Sequence, residues 1–146
     1  MCSSDLTFAG MPIATAGANA VVKYIIDNDI VALSAKNGAI LLQKLKDALG
    51  DIPAVGDVRG IGMLAGVELV SDRESKTPFD PKLGIAGKIA AYCLDKGLMV
   101  LSGVTGTSDG IVGDALQISP ALTMTPEEMD VAIAILREAI ISVTAI

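Results

Sequence analysis

A chain of 146 residues has the length of one domain, long enough to bury about two-thirds of its unfolded surface. Its 17 acidic residues outweigh 11 scattered basic ones, giving a net charge of −6, which argues against nucleic acid or an anionic lipid surface as partner. There is no histidine and there are two cysteines, Cys2 and Cys93, so the usual Cys/His metal sites and any histidine-dependent triad are excluded.

Hydrophobic residues make up 51% of the chain, and the mean hydropathy of +0.58 is high for a soluble domain. No apolar run reaches the ~18 residues of a membrane helix, so the excess reads as core plus surface meant for another domain or subunit. Aromatic residues are 3% and tryptophan is absent, which leaves no stacking platform for bases. The start lacks a basic segment followed by an apolar one, and the expected location is cytoplasmic. Residues 1–6 fit nothing downstream and read as a non-native extension, with a natural chain start as the alternative.

In chain order, residues 12–28 are alanine-rich and helical, opened by Pro12, whose missing N–H costs nothing at a helix start. Asp29 is expected to cap a second helix that runs to Leu49 and stops at Gly50. Val31, Ala35, Gly38, Leu42, Leu45 and Leu49 form its apolar stripe. Residues 55–59 and 63–70 read as two strands, with Met63, Ala65, Val67 and Leu69 on one face. Gly60 and Gly62 between them permit a kink or a close backbone approach. Residues 71–81 are a polar loop in which Asp72, Arg73, Glu74 and Lys76 are read as solvated.

A third helix spans 83–96 with Ile85, Ile89 and Tyr92 on one face and Gly97 as its stop. Cys93 is a small core residue within it. A short strand at 98–101, a Gly/Ser/Thr loop at 102–114 and a last strand at 115–119 follow. Thr125, Pro126 and Glu128 then combine an N-cap, a first-turn proline and a capping-box glutamate. Met129, Ile133, Leu136 and Ile140 are the buried stripe of that helix. The fold class is α+β: a small, mostly antiparallel sheet covered by helices.

Three constellations carry charge or loop chemistry. Glu127, Glu128 and Asp130 lie in a first helical turn, where they complement the dipole rather than form a catalytic pair. The glycine-rich loop 102–113 lacks the G-K-[ST] ending of a phosphate cradle and opens no helix. Arg59, between apolar strands near a glycine kink, is expected to be held by a carboxylate or a backbone carbonyl, with a structural role ahead of a functional one.

The order of residues adds a resemblance. V-G-D-V-R-G-I-G-M-L-A-G-V-E-L-V at 55–70 resembles the strand pair in the C-terminal part of class III aminotransferases, pyridoxal-phosphate enzymes of fold type I. T-F-A-G-M-P at 7–12 resembles the family's T-[FY]-x-G-H-P, with Met11 in place of its histidine, and S-D-R-E-S-K-T-P-F-D-P at 71–81 resembles the segment that follows the strands. The resemblance runs from residue 7 to about residue 140. It implies that 7–50 are bridging helices from a large domain and 51–146 a C-terminal small domain. It also implies pyridoxal 5'-phosphate as cofactor, and a homodimer in which the Thr7 hydroxyl reaches the cofactor phosphate of the neighbouring subunit.

In the family an arginine that grips a substrate carboxylate can sit at two places, which here hold Leu101 and Gln117; the P-P-L segment beside the second reads Pro120-Ala121-Leu122. Neither residue makes the bidentate fork of arginine. The lysine of the Schiff base and the acidic partner of the pyridinium lie upstream in the family. None of Lys23, Lys36, Lys44, Lys46, Lys76, Lys82, Lys88 or Lys96 matches that motif, so no catalytic residue is assigned on this chain. The implied function is transfer of an amino group from an amine or amino acid to a keto acid by a longer parent enzyme, the fragment itself being inactive. A non-catalytic α+β binding or regulatory module and a sister decarboxylase or aminomutase of the same fold remain as alternatives.

Overall fold

Met63, Ala65, Val67 and Leu69 are all buried, as their alternation requires, and the strand that carries the last three lies inside a four-stranded antiparallel sheet. The computed structural model describes residues 10–103 and 113–145. Strand β1 (Val55–Ile61) pairs with β2 (Leu64–Leu69), β2 with β4 (Asp114–Ile118) and β4 with β3 (Leu101–Ser102), giving the order β1-β2-β4-β3. Ala65, Val67 and Leu69 stand opposite Ile118, Leu116 and Asp114, and Val58 stands opposite Val67. These pairs make the inner face.

Helix α1 spans Pro12–Asp27, α2 Ile30–Leu49, α3 Ile85–Asp95 and α4 Pro126–Thr144, with a 3₁₀ turn at Pro81–Leu83. One contiguous core joins α2, α3 and α4 to the inner face through Leu45, Leu49, Ile89, Cys93, Met129 and Leu136. Each large side chain fully buried there contributes about 1.5–3 kcal/mol. Helix α1 buries none of its residues. No helix among the described residues is long and apolar enough to cross a membrane.

The glycine break is a tight hairpin. Ile61 pairs with Leu64 across the turn formed by Gly62 and Met63, and Gly62 adopts φ +53°, the left-handed region that favours glycine. Strand β1 therefore runs to Ile61, two residues beyond expectation. Gly38 of α2 packs on this turn so closely that a Cβ there would lie 2.2 Å from the carbonyl carbon and oxygen of Gly62.

Four local expectations are corrected. Asp29 does not cap α2: its φ is +48° and its side chain makes no cap hydrogen bond. It is the joint between two helices, and its carbonyl accepts from Leu33 N (3.0 Å). The buried stripe of α2 is Ile30, Asn37, Gly38, Leu41, Leu45 and Leu49, so Val31 and Ala35 face outward. Strand β3 is shorter than residues 98–101, because Leu98 N bonds Cys93 O (2.8 Å) and ties that stretch to the end of α3. Arg73 is more than solvated: its guanidinium donates to the carbonyls of Val55 (2.7 Å), Gly50 (2.9 Å) and Ile52 (2.9 Å), clamping the α2–β1 connection.

The start of α4 is as the sequence predicts. The Thr125 side chain accepts from Glu128 N (3.3 Å) and Glu128 Oε2 accepts from Thr125 N (2.8 Å), a complete capping box. Met129, Ile133, Leu136 and Ile140 are buried below it.

Candidate functional site

Among the described residues the helices of the core cover the inner face and leave the outer face of the sheet open. Strand register builds that face in rows. Arg59 stands opposite Gly66, Gly66 opposite Gln117, and Gln117 opposite Leu101, so one row crosses all four strands. The row beside it is Asp57, Glu68 and Ala115, and on the other side lie Ile61 and Leu64. Leu101 and Gln117, sixteen positions apart in sequence, are thus direct cross-strand partners with side chains on one face. Both are exposed.

Two hollows meet at Gln117. A shallow depression of about 550 Å³ on the outer face is bordered by Arg59, Ile61, Gly66, Gly103, Ala115 and Gln117. A smaller cleft of about 270 Å³ lies at the β3 edge, lined by Leu101, Gln117, Pro120, Met124, Met129 and Leu136 among others, and among the described residues no charged side chain lines it. Gln117 Nε2 donates to Ser119 Oγ (3.4 Å), which leans the amide toward the segment that leaves β4.

Arg59 is held by carboxylates, as the first of the two expectations had it. Its Nη1 donates to Asp57 Oδ2 (2.8 Å) and Glu68 Oε2 (2.7 Å). Asp57 and Glu68 are cross-strand partners of like charge, which repel unless a cation lies between them. The hydrogen bond from Arg59 holds the Asp57 carboxyl below its ordinary value, and the two carboxylates raise the guanidinium. A guanidinium so engaged is already matched in charge and serves the sheet.

The other candidates disperse. Glu128 is spent on the capping box and Asp130 pairs with Lys44. Lys23 pairs with Asp27 and Lys96 with Glu138, and no lysine lines the cleft. Thr7, the expected phosphate donor, lies outside the described residues, as does most of the glycine-rich loop 102–113. Among the described residues no cluster of three His, Cys, Asp or Glu side chains could hold a metal. An uncharged apolar cleft without a lysine does not fit pyridoxal phosphate as a pocket by itself, since a phosphate dianion needs donors and a Schiff base needs an amine.

Two polar anchors of the fold escape a reading of the sequence alone. Asn37, 6% exposed, donates from Nδ2 to the carbonyls of Met124 (3.1 Å) and Leu122 (3.5 Å). Arg73 holds the entry to β1. The partners of both are backbone carbonyls far along the chain, which leave no periodic or motif signal.

Helices packed on one face of this small antiparallel sheet match part of the architecture of the fold type I transaminases among solved structures. The chain belongs to the class-III aminotransferase family, whose profile matches residues 2–140. An aminotransferase of Gibberella zeae is 36% identical over 136 residues, covering 92% of this chain and 26% of that protein. A Bacillus anthracis aminotransferase of solved structure superposes with a TM-score of 0.82 at 34% identity, over 92% of this chain and 29% of that one. The omega transaminase from Pseudomonas jessenii, solved in complex with PMP, superposes with a TM-score of 0.70 at 28% identity, over 84% and 25%. This chain spans between 26% and 31% of the length of the first curated relatives it matches.

Proposed function

We propose that this chain is the C-terminal small domain (51–146) of a pyridoxal-phosphate-dependent class III aminotransferase, together with the helices (7–50) that bridge to its large domain. The enzyme moves an amino group from an amine or amino acid to a keto acid, works in the cytoplasm, and is a homodimer in which Thr7 donates to the cofactor phosphate of the neighbouring subunit. Pyridoxal phosphate, when bound, supplies the electron sink of the reaction. The Schiff-base lysine comes from sequence outside this chain, so these 146 residues alone do not transaminate.

The observation that carries this reading is the cross-strand pair of Leu101 and Gln117 on the open face, at the edge of an uncharged cleft. Those are the two positions where the family resemblance puts a carboxylate-gripping arginine, and the register makes them neighbours. A leucine and an amide there present one apolar surface and one neutral donor and acceptor. They orient the distal part of a substrate and favour one whose end is apolar or neutral over a dicarboxylate. The PMP complex of the Pseudomonas jessenii enzyme supports the cofactor, and the diaminobutyrate–2-oxoglutarate transaminase of Halomonas elongata among the relatives supports the reaction class.

The test is Gln117→Arg in the aminotransferase that contains this segment, with KM measured for 2-oxoglutarate and for pyruvate. A new charge-assisted bond to the second carboxylate is worth about 1.5–3 kcal/mol, so KM for 2-oxoglutarate should fall by about tenfold or more while KM for pyruvate changes little. Equal values for both acids in both proteins would place Gln117 outside the substrate pocket.

A further inference from the structure

Asn37 stands in the buried stripe of α2, whose other buried members, Ile30, Gly38, Leu41, Leu45 and Leu49, carry no polar side chain. Packing alone at that place would be met by a leucine. The amide adds direction: Nδ2 donates to Met124 O and Leu122 O, both in the segment 119–124 that joins β4 to α4. That segment begins at Ser119, which accepts from the Gln117 amide (3.4 Å). It turns through a bond from Met124 N to Ala121 O (3.0 Å) and ends in the capping box at Thr125. Pro120 and Met124 of the same segment line the apolar cleft with Leu101 and Gln117.

The chain of contacts is therefore continuous. Asn37 bonds Met124 and Leu122 at one end of segment 119–124, and Ser119 at its other end accepts from Gln117. We propose that Asn37 is a positioning residue for the Leu101–Gln117 site, acting through segment 119–124. The proposal rests on the reading that Gln117 meets substrate. It assigns to a buried helix residue, with no substrate contact of its own, part of the site's selectivity.

Two measurements test it. In the 146-residue chain, amide hydrogen exchange is compared between the parent and Asn37→Leu, with Asn37→Ser as the second variant should the first fail to fold. The Met124 amide should exchange about tenfold faster, the loss expected when one net hydrogen bond goes. The Val70 amide, bonded to Ala54 O on the far side of the sheet, should match any global loss and no more. Equal acceleration at both amides, or none at Met124, overturns the proposal.

In the aminotransferase that contains the segment, Asn37→Leu and Gln117→Arg are combined in a double-mutant cycle read on KM for 2-oxoglutarate. Expected is a gain from Gln117→Arg that shrinks at least severalfold when Asn37 is leucine, with kcat little changed and with melting temperatures that add. Full additivity in KM overturns the proposal while leaving Gln117 in the pocket. No effect of Gln117→Arg in either background overturns both readings, and is told apart from the previous result by that single variant alone.

Discussion

Arg59 answers a repulsion built into the register. Asp57 and Glu68 face each other across β1 and β2, and the guanidinium bonds both. The folded Asp57 carboxyl lies below its ordinary value, chiefly through the bond from Arg59. A carboxyl depressed on folding contributes stability above its unfolded value and loses it as pH falls through the folded value. Arg59→Met removes that contribution and leaves two carboxylates opposed. Protonation then relieves repulsion, so the sign of this local effect inverts, and lowering the pH through the carboxylate range stabilises the sheet relative to the parent. The groups are largely exposed, so the difference at neutral pH is about 0.2–1 kcal/mol. Urea midpoints of both proteins across the acid range check it; parallel pH curves would detach Arg59 from the pair. At Thr7 the scale is larger. Thr7→Ala in the aminotransferase that contains this segment removes one hydroxyl expected on a charged phosphate, about 1.5–3 kcal/mol, or about ten- to a hundredfold in cofactor affinity. Turnover at saturating cofactor should fall less, since that hydroxyl is remote from the reacting carbon. A cofactor titration with equal affinities would remove Thr7 from the site.

At the scale of elements, two glycines in helices make opposite predictions. Alanine is the better helix former by about 0.8–1 kcal/mol. Gly87 of α3 has open space where a Cβ would stand, so Gly87→Ala should stabilise by up to that amount. Gly38 of α2 has the Gly62 backbone at 2.2 Å, and backbone cannot swing aside as a side chain can. Gly38→Ala must part α2 from the hairpin, at an overpacking cost of about 1–3 kcal/mol or more. Thermal melts of the two variants should shift in opposite directions, and a stabilised Gly38→Ala would mean that helix and hairpin are not in contact. The same pair of elements shows what a sequence reveals. The alternation from Met63 to Leu69 and the Thr125–Glu128 box depend on neighbours within a few residues, and both were legible. On α2 Gly38, Leu45 and Leu49 are buried as the stripe requires, but Ile30 and Leu41 are buried rather than Val31 and Leu42, since these neighbours are all apolar and only the contact of Gly38 with a hairpin turn decides between them. The pairing of Leu101 with Gln117 needs the register of β3 on β4, which no local pattern encodes. Resemblance named those two positions; the ladder made them neighbours.

Large apolar side chains lie exposed on two faces of the described residues, and exposed apolar patches mark contact surfaces. Helix α1 presents Ile13, Val21, Val22 and Ile26 with no buried residue, and the open sheet face presents Ile61, Leu64 and Leu101. Ile13 and Ile61 are each 83% exposed. Burial of such side chains is worth about 1.5–3 kcal/mol each, so contact between copies is favourable. A net charge of −6 opposes it at long range. Salt shortens that repulsion to about 8–10 Å at physiological strength and leaves the apolar attraction in place. The chain should therefore elute above its 14.9 kDa mass, bind a dye that reports exposed hydrophobic surface, and associate further as salt is raised. Removing residues 1–28 should lower dye binding without abolishing it, because the outer sheet face persists. Dye binding that vanishes with α1 would assign the exposed surface to that helix alone. A monodisperse monomer that binds no dye at any salt would show that both surfaces are covered within one chain, and would count against their role as contacts for the rest of an aminotransferase.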